Sequence, residues 1–335
     1  MSHARLVLAG VSLLVAACGV SEQPLRTASG DPLPSWNEGP TKRAITTFVT
    51  SVTDPNGPSF VEPPERIAVF DNDGTLWAEQ PLYFQLLFAL DRVRAMAAEH
   101  PDWREQQPFK AILEDDREAL SRMSEHDIVQ VVMATHAGMT VDEFRSHVAD
   151  WLATARHPRF DQPFTQMAYQ PMLELLEYLR ANEFKTFIVS GGGIDFMRVF
   201  ANGVYGIPPE QVVGSVGVTR FELRGGEAVL VKEPDIEFID DKEGKPVGIN
   251  QFIGRRPIAA FGNSDGDLAM LQYTAGGDGP GLMVLVHHDD AEREWAYDRD
   301  SSIGRLDKAL DEARDRDWTV ISIKNDWLRI FPFAP

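Results

Sequence analysis

Cysteine is almost missing from this chain of 335 residues, where Cys18 stands alone. An intramolecular disulfide is therefore excluded, and the fold must be held by packing or by a bound metal. Positive charge is short too: 32 Lys and Arg face 51 Asp and Glu, for a formal net charge of -19. A nucleic-acid binder needs a basic face, and peripheral attachment to anionic lipid needs the same, so both are disfavoured. The apolar run Leu6 to Ala17 is too short to cross a bilayer comfortably and has the length of a signal peptide. There is no internal repeat. Against these absences, a hydrophobic content of 43% supports an ordinary globular core, and the length allows two domains.

The N-terminus carries an address. His3 and Arg5 precede the apolar run, which ends V-A-A-C at Val15 to Cys18 and then turns polar. This resembles the bacterial lipobox, which implies that Cys18 is lipidated and becomes the first residue of an exported lipoprotein at the periplasm or cell surface. The membrane is then met only through the lipid on Cys18. Gly19 stands where an aspartate would retain the protein at the inner membrane, so resemblance to the Gram-negative sorting pattern favours the outer membrane, if there is one. Residues 1–17 are thus expected as signal peptide. Residues 18–40, holding Ser, Gly and Pro with few apolar groups, are expected as a flexible tether.

The body is organised around Ile67 to Trp77, reading I-A-V-F-D-N-D-G-T-L-W. The apolar residues Ile67 to Phe70, bounded upstream by Pro63-Pro64, predict a buried strand. It delivers Asp71 and Asp73 at its end, and Gly74 lets the chain turn away. In an open α/β sheet, ligands bind beyond the carboxyl ends of the strands, so the two acids would share one pocket. There Asp71 can attack phosphorus and carry the phosphoryl group covalently. Asp73, its pKa raised by its neighbours, can protonate the leaving group and later activate water. Two close carboxylates repel and call for a hard cation, for which Mg2+ with oxygen ligands is suited. Two plainer readings compete: a D-G hairpin turn, and a calcium loop, against which Leu76 stands where that loop requires glycine.

Thr41 to Thr53 spaces Ile45, Phe48 and Val52 as one face of a helix, ended by Asp54-Pro55-Asn56-Gly57-Pro58. Between Trp77 and about Gln170 no comparable strand run occurs. Leu82, Leu86, Leu87, Leu90, Val93 and Met96 keep helical spacing, and Thr140 to Glu143 is a capping box opening a helix through Ala155. Residues 78–170 are therefore expected as an inserted α-helical cap, with 41–77 and 171–335 forming an α/β core. In that core Met172 to Asn182 is an amphipathic helix, and buried strands fall at Thr186 to Val189, Pro257 to Phe261, Leu282 to Val286 and Thr319 to Ile323. Helical patterns between several of them point to a doubly wound parallel sheet. Val213 to Val231, around Arg224-Gly225-Gly226, predicts a β-hairpin beside it. His287-His288-Asp289-Asp290 looks metal-like at first sight, but Asp289 is better placed to cap a helix through Tyr297. Trp327 to Phe333 reads as an apolar tail on the core.

The other strand ends add to the first. One gives Ser190-Gly191-Gly192-Gly193, a hydroxyl and bare backbone N–H groups that can hold phosphate oxygens. Gly244-Lys245-Pro246 opens a helical pattern with a lysine that can neutralise a phosphate and a developing phosphorane charge. The next strand ends in Gly262-Asn263-Ser264-Asp265-Gly266-Asp267, short oxygen-bearing side chains able to complete a Mg2+ shell. Singly these read as a turn, a solvated lysine and an Asx-rich turn with a helix cap. Together and in this order, over roughly Ile67 to Leu271, they resemble the haloacid dehalogenase (HAD) superfamily, and the layout is most similar to its phosphoserine-phosphatase-like branch. The resemblance implies a HAD-like Rossmannoid core with an inserted α-helical cap. It makes Asp71 the nucleophile and Asp73 the general acid/base. Ser190 with Gly191 becomes the phosphate-binding turn, Lys245 the charge-neutralising lysine and Asp267 the downstream acid of the last motif. It also implies a phosphatase, since dehalogenases of the superfamily lack an acid two residues after the nucleophile. An ester oxygen needs a proton on leaving and a halide does not.

One departure from the family pattern matters. The last motif often begins Gly-Asp, and that position is Asn263 here. The expected metal shell is Asp71, the backbone carbonyl of Asp73, and a choice among Asn263, Asp265 and Asp267, with Asn263 and Asp267 favoured. The expected activity is Mg2+-dependent hydrolysis of a small phosphomonoester through an aspartyl phosphate. Glu79 and Arg198 are candidates for substrate contact, and Trp77, Tyr83 and Phe84 are expected as packing. Two alternatives stand: a lipid-anchored binding protein on a degenerate phosphatase fold, motivated by Asn263, and a phosphotransferase in which an acceptor alcohol replaces water.

Overall fold

The computed structural model describes residues 30–120 and 122–334. The expected signal peptide and the lipid site at Cys18 lie outside the described residues. Among those described, no helix is long and apolar enough to cross a membrane.

Eight strands form one sheet among the described residues: β1 Ile67–Phe70, β2 Lys185–Gly193, β3 Val212–Arg224, β4 Glu227–Phe238, β5 Ala259–Gly262, β6 Leu282–Asp289, β7 Ala296–Tyr297 and β8 Thr319–Ser322. The order is β4-β3-β2-β1-β5-β6-β7, with β8 paired to β6. β1 lies between β2 and β5, parallel to both, with Phe70 level with Ile188 and Phe261. All four β1 residues are buried, as a parallel strand covered on both faces requires. Alternation divides them: Ala68 and Phe70 pack into one apolar cluster, Ile67 and Val69 into another on the opposite face. Phe70 stacks on Phe261 at 4.4 Å between ring centroids. The carboxyl ends of β1, β2 and β5 are thereby neighbours, and the loops leaving them face one another.

Between β1 and the helix Gln170–Ala181 that leads into β2, the described chain is helical, with helices Phe84–Met96, Phe109–Glu114, Arg117–Leu120, Glu125–His136 and Val141–Thr154. Thr140 and Glu143 make the reciprocal capping box: the Thr140 hydroxyl accepts from the Glu143 N–H at 3.1 Å, and the Glu143 carboxylate accepts from the Thr140 N–H at 2.7 Å. Leu86, Leu90, Val93, Trp103, Phe109, Ile112 and Val131 bury one another in a core of their own. Phe144, Val148 and Leu152 join the main core instead, so the last helix of the insertion is built into the body.

Three expectations change. The body starts at Pro32, not near Thr41. Trp36 is 3% exposed, and its indole N–H donates to the Pro171 carbonyl at 3.0 Å while its ring packs edge-on against Trp327. The Ser35 N–H donates to the Glu174 carboxylate at 2.8 Å. Residues 32–40 are therefore packed against the body and are not tether. Trp36→Ala is expected to cost about 3–5 kcal/mol, as large aromatic truncations do, read by chemical denaturation; a tether residue would cost nothing. Second, the hairpin is part of the sheet: β3 first runs parallel to β2, with Val212 level with Ile188, before it turns into antiparallel β4. Third, no helix follows Asp289. Asp290 closes a turn on the N–H groups of Glu292 and Arg293, Glu294 is drawn inward, and β7 pairs with the end of β6.

Candidate active site

Lys245 ties the strand ends together. It sits at the start of the short helix Gly244–Gly248 and is 2% exposed. Its ammonium donates to Asp71 Oδ1 at 2.8 Å, to Asp267 Oδ1 at 2.5 Å and to the Val189 carbonyl at 3.0 Å. Three donors meet three acceptors, two from the loops after β1 and β5 and one from within β2. Burial works against the charge, but Asp267 and Asp71 outweigh it and raise the Lys245 pKa. Burial also raises the Asp71 carboxyl, to about 8, against the pull of Lys245 and with Asp267 and Asp73 adding to the rise.

Asp73 is held by a residue expected only to pack. The Trp77 indole N–H donates to Asp73 Oδ1 at 2.7 Å while the ring stacks on Phe200. Burial raises the Asp73 carboxyl, and the bond from Trp77 opposes the rise. Asn72, between the two acids, also gives Asp73 a side-chain hydrogen bond, which opposes the rise there. Its side-chain oxygen accepts from Tyr205 OH, and its carbonyl accepts from the N–H groups of Thr75, Leu76 and Trp77.

Ser190 is buried, one residue beyond the carbonyl that Lys245 contacts, and its hydroxyl accepts from the Gly192 N–H at 3.3 Å. The Gly193 N–H donates to the Gln85 side chain at 2.7 Å, a partner from the helical insertion that the sequence did not point to. Asp241 stands beside both Gly191 and Gly266, where an added Cβ would meet its carboxylate oxygen at 3.7 Å and 2.8 Å. The end of β2 and the loop after β5 thus lie side by side.

The last motif divides its labour differently from expectation. Asp267 Oδ1 is taken by Lys245, and Oδ2 accepts from the N–H groups of Asn263 and Ser264 and from the Ser264 hydroxyl. Asp267 therefore pins the loop and the lysine, and is not placed as a metal ligand. Asp265 Oδ1 accepts from the N–H groups of Asp307 and Ala309, more than forty residues on. Glu79 stands against Asn263, its Oε1 2.7 Å from Asn263 Nδ2. Arg198 is not brought to the site: it donates to the Pro209 carbonyl. His288 is neither ligand nor bystander. Its Nε2 lies 2.8 Å from the Gly74 carbonyl and its Nδ1 3.1 Å from Glu294, which also accepts from Tyr169 OH. It braces the turn that carries Asp73.

A divalent cation fits what is here. No group of three His, Cys, Asp or Glu side chains is arranged to hold a metal among the described residues. The fitting donors are instead the Asp71 carboxylate, the Asp73 carbonyl and the Asn263 amide oxygen, all hard oxygens of the kind Mg2+ prefers. The charge balance points the same way. Asp71, Asp73, Glu79 and Asp267 face a single ammonium, and burial together with the mutual repulsion of the acids raises Asp71 and Glu79.

A family model described as haloacid dehalogenase-like hydrolase matches residues 68–272, more than half of the chain. In structure the chain is similar to a protein of unknown function from Bordetella pertussis Tohama I, at 16% identity over 77% of this chain and 99% of that one, with a TM-score of 0.50. It is similar as well to a conserved protein of unknown function from Anaerococcus prevotii DSM 20548, at 17% identity over 84% of this chain and 91% of that one, with a TM-score of 0.51. At such identities the likeness is one of fold. No curated protein matches the chain.

Proposed function

The chain belongs to the haloacid dehalogenase-like hydrolases, and from that membership we propose that it is a Mg2+-dependent phosphomonoesterase working through a phosphoryl group carried on Asp71. The Asp71 carboxylate forms the new bond to phosphorus as the ester P–O bond breaks, and Asp73 gives its proton to the leaving oxygen. Asp73, now a carboxylate, takes a proton from water, whose oxygen displaces Asp71 and frees phosphate. Lys245, already seated on Asp71, neutralises the phosphoryl oxygens through both steps. Ser190 and the glycines after it offer a hydroxyl and N–H groups to the same oxygens. Mg2+, held by Asp71, the Asp73 carbonyl and Asn263, would supply further neutralisation and orientation. The helical insertion, whose Gln85 reaches the glycine turn, is placed to select a small substrate and limit water.

The observation that supports this reading best is the buried Lys245 bridging Asp71 and Asp267, with a second acid two residues beyond Asp71. The test is phosphate release from p-nitrophenyl phosphate and a panel of small phosphomonoesters. Turnover is expected with Mg2+, lost in EDTA and restored by added Mg2+. No release from any ester, across metals and between pH 5 and 9, would overturn the proposal.

A further inference from the structure

Beyond the loop that carries Asp73, the chain turns Glu79 back toward the site. Glu79 is 2% exposed, and its Oε1 accepts from Asn263 Nδ2 at 2.7 Å and from Tyr297 OH at 2.8 Å. The other end of the Asn263 amide accepts from the Thr75 hydroxyl at 3.0 Å. Two glycines make the room. Gly74 has φ +74° and Gly304 φ +64°, and a Cβ on either would collide with Glu79 Oε1, on Gly74 with Asn263 as well. Tyr297, stacked on His288 at 4.4 Å, closes another side. Glu79 therefore occupies a pocket built for a carboxylate, against the one side-chain donor of the set that carries no charge.

We propose that Glu79 and Asn263 act as one unit, in which Glu79 supplies from just outside the donor set the negative charge that Asn263 does not, and fixes which end of the amide is oxygen. With a cation bound beside it Glu79 is a carboxylate, which only accepts hydrogen bonds, so it takes the NH2 end and leaves Oδ1 as the donor atom. The same contact explains why asparagine stands at 263. An aspartate there would put two carboxylates at hydrogen-bond distance in a buried site, where like charges disfavour each other. Glu79 is on this account a positioning residue, one layer out from the metal, as partners of metal ligands commonly are. The inference rests on the reading of the site as a Mg2+ site.

The experiment is Mg2+ binding to the purified protein by isothermal titration calorimetry, with melting temperatures in EDTA, for wild type, E79Q, N263D and the double variant. E79Q is expected to weaken Mg2+ binding about tenfold or more, the usual cost of losing such a partner. The double variant E79Q/N263D returns the charge to the inner position and is expected within about threefold of wild type. N263D alone is expected to melt lower than wild type in EDTA and to bind Mg2+ no tighter. The proposal falls if E79Q binds like wild type, or if the double variant stays as weak as E79Q. Should E79Q not fold, N263D decides: unchanged melting with tighter Mg2+ binding overturns the proposal. A wild type that binds no Mg2+ would instead strike the phosphatase reading itself.

Discussion

Asp71→Asn is expected to yield a folded protein with no measurable turnover, a loss on the order of 10^4-fold to 10^6-fold as for other nucleophile replacements. The amide is nearly isosteric with the carboxylate and can keep its oxygen toward Lys245, so the bond at 2.8 Å has an acceptor and the surrounding loop keeps its shape. What is lost is the lone-pair charge that attacks phosphorus, and no nearby group can replace it: Asp267 has both oxygens committed to Lys245 and the Asn263–Ser264 turn, and Asp73 is turned onto Trp77. Stability should not suffer in the same measure. Burial makes the Asp71 charge costly in the metal-free protein, so the neutral variant is expected to melt within a few degrees of wild type in EDTA. Phosphate release under Mg2+ and a thermal melt check both halves. An Asp71→Asn protein that is folded and active would remove the nucleophile and, with it, the proposed mechanism.

The sequence made the first acid pair legible because everything about it is local: an apolar strand, two acids at its end and a glycine, all within eleven residues. The strands of the parallel sheet were legible for the same reason, since burial on both faces writes short unbroken apolar runs. What could not be read were pairings across long separations. Nothing near Asp265 announces that its carboxylate closes onto Asp307 and Ala309. Nothing near Asp267 says that its oxygens are consumed by Lys245 and its own turn. Glu79 and Asn263 lie 184 residues apart and meet through a glycine pocket that has no local signature. His288, held by Glu294, braces Gly74 from the end of β6, two strands from β1, and where a helix was expected after Asp289 the chain turns Glu294 inward instead. One miss did have a signal. Leu33 and Trp36 are large apolar residues within a stretch otherwise composed like a linker, and both are buried.

Lys245→Met should strike stability and activity together, which sets it apart from the nucleophile variant. The ammonium is buried and saturated, and its removal leaves the Asp71 and Asp267 carboxylates and the Val189 carbonyl facing one another with no donor between them. Breaking a buried ion pair from one side costs about 3–5 kcal/mol because the surviving charge stays buried and unpaired. Asp267 is the charge stranded, while Asp71, whose carboxyl burial already raises, takes up a proton, so a loss within that range is expected, measured by denaturant unfolding in EDTA. Lys245→Arg should not rescue it, since a planar guanidinium fork cannot point three donors to the three acceptors that the compact ammonium reaches. The discriminating variant is Lys245→Met with Asp267→Asn. It removes that stranded charge and keeps an amide oxygen for the Asn263 and Ser264 N–H groups, so part of the lost stability should return. Activity should not return with it, because the phosphoryl oxygens would still lack the cation seated on Asp71. If the single variant unfolds at the wild-type denaturant concentration, Lys245 does not join the three strand ends in solution, and the convergence on which the site depends fails with it.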